Sequence, residues 1–293
     1  MPQALANGII QGLLFAVVGL AFSLVYSTTR VFHIALGGIY TLAPYLLLSV
    51  FQLNVPWPVG LLAALILSAT LGLACEEIIH WPFERKRAPA EIHLIGSLGA
   101  FLVVVQMTVL MWGNNTQVLR AGIDVVYNFA GFHVTQGQIV EAVAASLTLL
   151  AVFSWLWHTE IGLQFRALAS NPPLLAVMGR DVRRIRRLVF ALSGVLAALA
   201  SVTTALDVGF DPNVGMRAIL VGVAATIVGG RTSFVGAAVA GVFFGILRAQ
   251  VVWHASARWE DAATFAVLAT FLFLLPGGLH SLTVGKTRLE EQR

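Results

Sequence analysis

Charge is scarce in this sequence: Asp, Glu, Lys and Arg make up 11% of its 293 residues, against 58% hydrophobic ones. That balance, with apolar runs throughout, excludes a soluble domain and describes a chain whose solvent is mostly lipid. Cysteine is almost absent. Cys75 stands alone, which excludes an intrachain disulfide, and no His/Cys spacing suggests a metal site. The first apolar run, residues 5–26, lacks a basic segment before it and exceeds a signal-peptide core, so it reads as a retained span. The short alternating segments of a membrane barrel are missing, because these runs are apolar nearly all round. Also missing is the chain of buried acids that a proton relay would use.

What is present is a series of runs close to the roughly 20 apolar residues needed to cross about 30 Å of hydrocarbon. They fall near 5–26, 34–53, 58–80, 92–112, 137–158, 187–208, 215–230, 233–252 and 260–279, the seventh being short. The expected fold is an all-α polytopic membrane bundle of about 8–9 transmembrane helices in a single transmembrane domain over 1–293.

Arg85, Lys86 and Arg87 follow the third run, an arginine-rich stretch follows the fifth, and Lys286 and Arg288 follow the last. The positive-inside rule places all three in the cytoplasm. The segments 113–136, 207–213 and 254–261 are poor in Arg and Lys and face outward, so the N-terminus is expected outside and the C-terminus inside. The net charge of +4 is then explained by loop arginines that hold topology, with no nucleic-acid partner.

Two segments stand out. "VGGRTSFVG" (228–236) forms a glycine-rich turn, followed by Gly241 and Gly245 in a spacing that lets helices approach closely. Gly229 and Gly230 serve either helix packing or the lining of a conduit. The second segment, 159–187, is broken by Gly162, Asn171, Pro172, Pro173 and Gly179, and carries Arg166, Arg180, Arg183, Arg184, Arg186 and Arg187. The prolines can stop one helix and start another, and "LLAVMG" makes a short apolar helix with a glycine to close it. Such a helix in a cytoplasmic loop wants a partner to cover it. The loop is either a topology anchor or a docking helix for a cytoplasmic protein, with the arginines forming a basic collar at the lipid headgroups.

The loop resembles the coupling loop of ABC importer permeases of the branched-chain amino-acid type, LivH/LivM-like, through Gly162, Arg166, Ala167, Asn171, Ala176 and Gly179. The resemblance extends over nearly the whole chain: the opening 7–45, "WPFERKRAP", "LIGSLGAF", "IVGGRTSFVGAAVAGVFFG" and "LPGGLHS" are similar to the family's motifs in order and spacing. His33, Leu36, Gly38 and Pro44 depart from it, standing where the family usually has Asn, His, an acid and Ala, and so do Trp81-Pro82 and Leu275-Pro276.

The resemblance implies an inner (plasma) membrane permease subunit without catalytic residues. It would move a small solute, such as a branched-chain amino acid, an amide, urea or a hydrophobic acid, while ATP is hydrolysed by separate subunits. It binds no cofactor itself. The implied partners are cytoplasmic ABC ATPase subunits, a second homologous permease, an extracytoplasmic solute-binding protein and membrane lipid. Coupling falls to Arg166, Ala167, Asn171, Ala176 and Gly179, and the candidate conduit lining is His33, Gly37, Gly38, Tyr45, Gly229 and Gly230. The alternative is a stand-alone secondary transporter or channel, which inverted repeats would favour.

Ionisable groups within or near spans are few. His33 is expected to be interfacial beside Arg30; Glu76 and Glu77 are expected to pair with Arg85 or Lys86; Glu141 is expected to be solvated near the outer face. Gln11 and Gln106 can hydrogen-bond between helices. Two enzyme signals fail. "VGKT" has His280 where a phosphate-binding loop needs glycine, and "IGSLG" has Ile95 where a hydrolase motif needs glycine.

Overall fold

The structure is a computed structural model that describes residues 2–119, 125–129 and 132–274. The terminal motifs around Leu275-Pro276, "VGKT", Lys286 and Arg288 lie outside the described residues. The long helices are α1 (Pro2–Thr29), α2 (Ala35–Gln52), α3 (Trp57–Cys75), α5 (Ala90–Trp112), α6 (Gln136–His158), α9 (Val182–Asp207), α10 (Val214–Gly229) and α11 (Phe234–His254). Shorter ones are α4 (Trp81–Arg85), α7 (Glu160–Ser170), α8 (Pro172–Val177) and α12 (Glu260–Leu274).

Among the described residues, seven helices are long and apolar enough to cross a membrane, and α10 is a shorter apolar helix. Eight of the nine expected runs are thus helices at nearly the expected places, and α12 covers the described part of the ninth. The third is longer than expected. A π-helical turn over Glu76–His80 joins α3 to α4, so the apolar helix continues to Arg85.

Burial divides the helices. α1 is buried along most of its length against α6, α9, α10 and α11, with Leu20, Phe22, Leu24, Phe190 and Leu196 in the main core. In contrast α3, α5 and α6 present Leu62, Ile66, Leu102, Leu110, Leu147 and Leu150 on their outer faces. Helices that are apolar all round need not expose a polar side to lipid, so lipid and core faces carry the same residue types.

With no hydrophobic drive between helices in lipid, the core is held by close backbone contact and by hydroxyls that bond across helices. A Cβ on Gly241 would sit 2.5 Å from Ala16 Cα, one on Gly12 2.8 Å from the Val242 carbonyl, and one on Gly245 on the backbone of Gly12. This seam joins α1 to α11. Elsewhere Ser193 Oγ donates to the Ala21 carbonyl at 2.8 Å and Thr226 Oγ1 to the Gly19 carbonyl at 3.1 Å. Pro44 lies inside α2 and cannot donate to the Tyr40 carbonyl; Ser201 Oγ of α9 donates to it instead, at 2.5 Å.

One end of the bundle carries a small hairpin, β1 (Val126–Phe129) antiparallel to β2 (Phe132–Thr135). Gln3 Nε2 donates to the His133 carbonyl at 2.8 Å, Thr135 Oγ1 to Asp207 at 2.9 Å, and Gln117 bridges to Phe210. The start of α1, the described residues of 113–135 and the end of α9 thus share one end of the bundle. At the other end Arg30 Nη1 donates to the Arg231 carbonyl at 3.3 Å, which brings the α1–α2 and α10–α11 turns together.

Candidate docking loop, ion-pair clamp and inner cavity

The broken segment 159–187 is two short helices and a collar. Gly162 sits where α6 turns into α7; a Cβ there would meet the Leu156 carbonyl. Thr159 caps α7 and Asn171 caps α8, its Oδ1 accepting from Leu174 N at 3.1 Å, with Pro172 and Pro173 in the first turn. Gly179 ends the helix at φ 75° and donates to the Ala176 carbonyl at 3.0 Å, the left-handed cap that glycine provides.

The same helix buries Leu175 and leaves Leu174, Ala176, Val177 and Met178 exposed, with Val177 at 85%. Ala167 packs partly against the core. Arg166 lies over the Trp157 ring at 5.5 Å with its Nε buried and without a partner. It lines a cavity of about 280 Å³ shared with Ser170, Thr232 and Ser233, so the loop meets the glycine-rich turn.

The arginines of the collar are not all at the headgroups. Arg186 is buried and grips Glu76 through Nε at 2.5 Å and Nη2 at 3.3 Å, with Glu84 3.2 Å from Nη1. Glu77 binds Arg183 at 2.6 Å and also Arg187. The expected pairing of Glu76 and Glu77 with Arg85 or Lys86 is therefore corrected. The π-turn sets these acids facing α9 across the bundle, whereas Arg85 and Lys86 lie beyond it in the exposed end of α4 and its turn.

His33 is also corrected: it is fully buried, not interfacial. Its Nδ1 lies 3.2 Å from His80 Nε2, and His80 Nδ1 lies 3.3 Å from His93 Nδ1, a chain of three imidazoles beside Phe190. Burial pushes the His33 pKa down to about 3. Among the described residues no group of three or more His, Cys, Asp or Glu is arranged to hold a metal ion.

Other named positions are tightly packed. A Cβ on Gly37 would lie 3.0 Å from the Gly215 carbonyl and one on Gly38 3.1 Å from Val104 Cβ, while Gly229 faces Gly236 and Gly230 follows at φ 109°. Tyr45 is buried edge-on to Phe210 at 4.8 Å.

A second cavity, of about 250 Å³, lies among α1, α2, α6, α9, α10, α11 and the start of α12 toward the hairpin end. Tyr40, Glu141, Thr204, Asp207, Arg217 and Arg248 bring polar groups to it, and Leu14, Val18 and Val221 apolar ones. Glu141 is only 4% exposed, so the expectation that it is solvated fails; α1 and α9 pack against α6 there. Sequence reading missed Tyr40, Asp207 and Arg248 because nothing in their local pattern shows that the helix ends converge. The available signal was an acid, Glu141, inside an apolar run.

Residues 4–275 match the family described as branched-chain amino acid transport system / permease component. The chain belongs to this family. High-affinity branched-chain amino acid permeases LivH from Salmonella typhimurium and Escherichia coli are 23% and 24% identical to it, each comparison covering 94% of both chains. The autoinducer 2 import permease LsrC of E. coli is 26% identical, over 84% of this chain and 71% of LsrC. A solved structure of PsaBC from Streptococcus pneumoniae, in complex with Fab, superposes with TM-score 0.50 and 15% identity, over 94% of this chain and 92% of that one. That likeness shows the fold alone. The chain is thus a multi-pass permease subunit of the ABC importer type, and the stand-alone transporter reading is set aside.

Proposed function

We propose that this permease carries a small solute inward across the plasma membrane, with a branched-chain amino acid as the leading solute. Cytoplasmic ABC ATPases bind and hydrolyse the ATP, and the permease itself binds no cofactor and catalyses no reaction. It pairs with a second homologous permease in one transmembrane domain spanning 1–293, and an extracytoplasmic protein delivers the solute. The N-terminus lies outside and the C-terminus in the cytoplasm.

The observation that carries this reading is α8. It is capped at both ends, anchored by one buried leucine, and presents Leu174, Val177 and Met178 to solvent on the arginine-rich side. A contiguous exposed apolar surface of this kind fits a protein partner. Ala176 lies on that surface, Asn171 and Gly179 cap the helix that carries it, and Arg166 and Ala167 belong to α7, which joins it to the core. Movement of the docked ATPases would switch the bundle between two packings through α7 and α9. The solute follows from the named relatives, and His33, Gly37, Gly38, Tyr45, Gly229 and Gly230 belong to the packed helices that such a switch would rearrange.

The test is isolation of the tagged chain in mild detergent with identification of its companions. Stoichiometric ATPase and a second permease are expected. Val177→Asp should abolish ATPase co-purification while leaving the permease monodisperse; retention of the ATPase by this variant, or isolation of the wild-type chain alone, refutes the docking role.

A further inference from the structure

The cavity between the docking loop and the glycine-rich turn carries uncompensated positive charge. Trp157 of α6, Arg166 and Ser170 of α7, and Thr232, Ser233 and Val235 at the start of α11 line it. Among the described residues no carboxylate pairs with Arg166, and its Nε is shut off from water without an acceptor. Arg30 Nη1 donates to the Arg231 carbonyl, which draws a second guanidinium to the turn that forms one wall, and neither of these arginines pairs with a described carboxylate. Hydrogen-bond donors are free as well. Ser233 Oγ accepts from Gly236 N at 3.0 Å and keeps its proton to give, and the Phe234 and Val235 amides open α11 without a backbone acceptor. A guanidinium facing free amides and a hydroxyl suits an anion with several oxygens, as a phosphate has.

The apolar rim of the cavity indicates what carries the anion. Trp157 and Val235 are 45% and 44% exposed, Leu163 is exposed one turn before Arg166, and α6 and α11 are both long and apolar enough to cross a membrane. An indole at the end of a span sits at the level of the lipid headgroups. From the uncompensated Arg166 on this cavity we propose that the permease holds the phosphate of one anionic membrane phospholipid between α7 and the start of α11. The phosphate lies against the Arg166 guanidinium and the donors of the α11 start, and the acyl chains run outward past Trp157 and Val235. The volume of about 280 Å³ is below that of drug-sized sites, so a headgroup enters and the acyl chains stay outside. A zwitterionic lipid brings its own cation and leaves the excess positive charge in place, which selects a lipid of net negative charge. The site depends on neither the solute nor the ATPase, and its occupant joins the docking loop to α11.

The test is native mass spectrometry of the purified full chain, released from detergent micelles that carry equal amounts of phosphatidylglycerol and phosphatidylcholine with the same acyl chains. The wild-type chain should retain phosphatidylglycerol about fivefold or more over phosphatidylcholine, and Arg166→Gln should lose one bound phosphatidylglycerol per chain. An excess of inorganic phosphate should leave that lipid in place. Equal retention of the two lipids, an Arg166→Gln variant that retains phosphatidylglycerol as the wild type does, or displacement by inorganic phosphate, which would assign the site to free phosphate, overturns the proposal. If Arg166→Gln does not fold, Ser170→Leu decides: it fills the cavity from an exposed position, and it too should lose the lipid, whereas wild-type retention by it overturns the proposal. No ATPase or binding protein is present in this assay, so its failure is separate from failure of the co-purification test.

Discussion

Removing one charge from the Arg186 clamp should cost far more than removing its neighbour. Glu76→Gln keeps the shape of the side chain but leaves the buried Arg186 with Glu84 alone, at 3.2 Å and with that carboxylate 48% exposed. Breaking a buried pair from one side costs about 3–5 kcal/mol, because the remaining charge is stranded; the surviving Glu84 contact argues for about 3 kcal/mol here. At roughly 2–4 °C per kcal/mol for chains of this order of size, thermal unfolding in detergent should fall by about 6–12 °C. The control is Glu77→Gln. Its partners Arg183 and Arg187 are 40% and 42% exposed, so it should cost about 0–1 kcal/mol, a shift under about 4 °C. Replacing both buried partners, with Glu76→Leu and Arg186→Met together, should recover most of the loss. Equal stability of Glu76→Gln and wild type, or an equally large loss in Glu77→Gln, would refute the reasoning.

Gly245→Leu drives a side chain into the α1 backbone at Gly12 and should eliminate monodisperse protein in size-exclusion chromatography, whereas Gly99→Ala, with nothing within 4 Å of its Cβ position, should be silent. Asn171→Ala removes the cap of α8 and should weaken ATPase retention by about 1 kcal/mol, read as a several-fold rise in the dissociation constant, without lowering the thermal midpoint. His33 has a pKa lowered to about 3, so between about 6.5 and 3 the unfolded chain binds a proton that the folded chain refuses. Its contribution is present above pH 6.5 and is lost as pH falls, by about 1.4 kcal/mol per unit; His33→Asn should flatten the decline in unfolding midpoint between pH 7 and pH 5, and an unchanged decline would remove His33 from the account.

The helices were legible in the sequence because lipid imposes one rule on every span, about 20 apolar residues with the backbone satisfied internally. The loop 159–187 was legible for a different reason: Asn171, the two prolines and Gly179 are local signals that act within a few residues. What escaped was set by pairing between distant helices. Glu76 looks toward Arg85 when only sequence distance is counted, yet the π-turn faces it to Arg186, 110 residues on. His33 reads as interfacial beside Arg30 until His80 and Phe190 close over it. Apolar spans carry no stripe that says which face is inward, so which polar residues meet in a cavity is decided by packing alone.

The seam of glycines between α1 and α11 has a bearing on how the cavity could change shape. Asn7 and Gln11 of α1 and Arg248 of α11 line the cavity toward the hairpin end, and the two helices touch backbone to backbone at Gly12, Gly241 and Gly245. Two helices joined so closely cannot part or slide far without opening a void along their length, so they behave as one plate. Among the described residues, α6 and α9, which bring Glu141 and Asp207 to the cavity, show no such glycine contact with α1 or α11. Widening or narrowing therefore falls to α6 and α9, and α9 is the helix that leads directly from the docking loop.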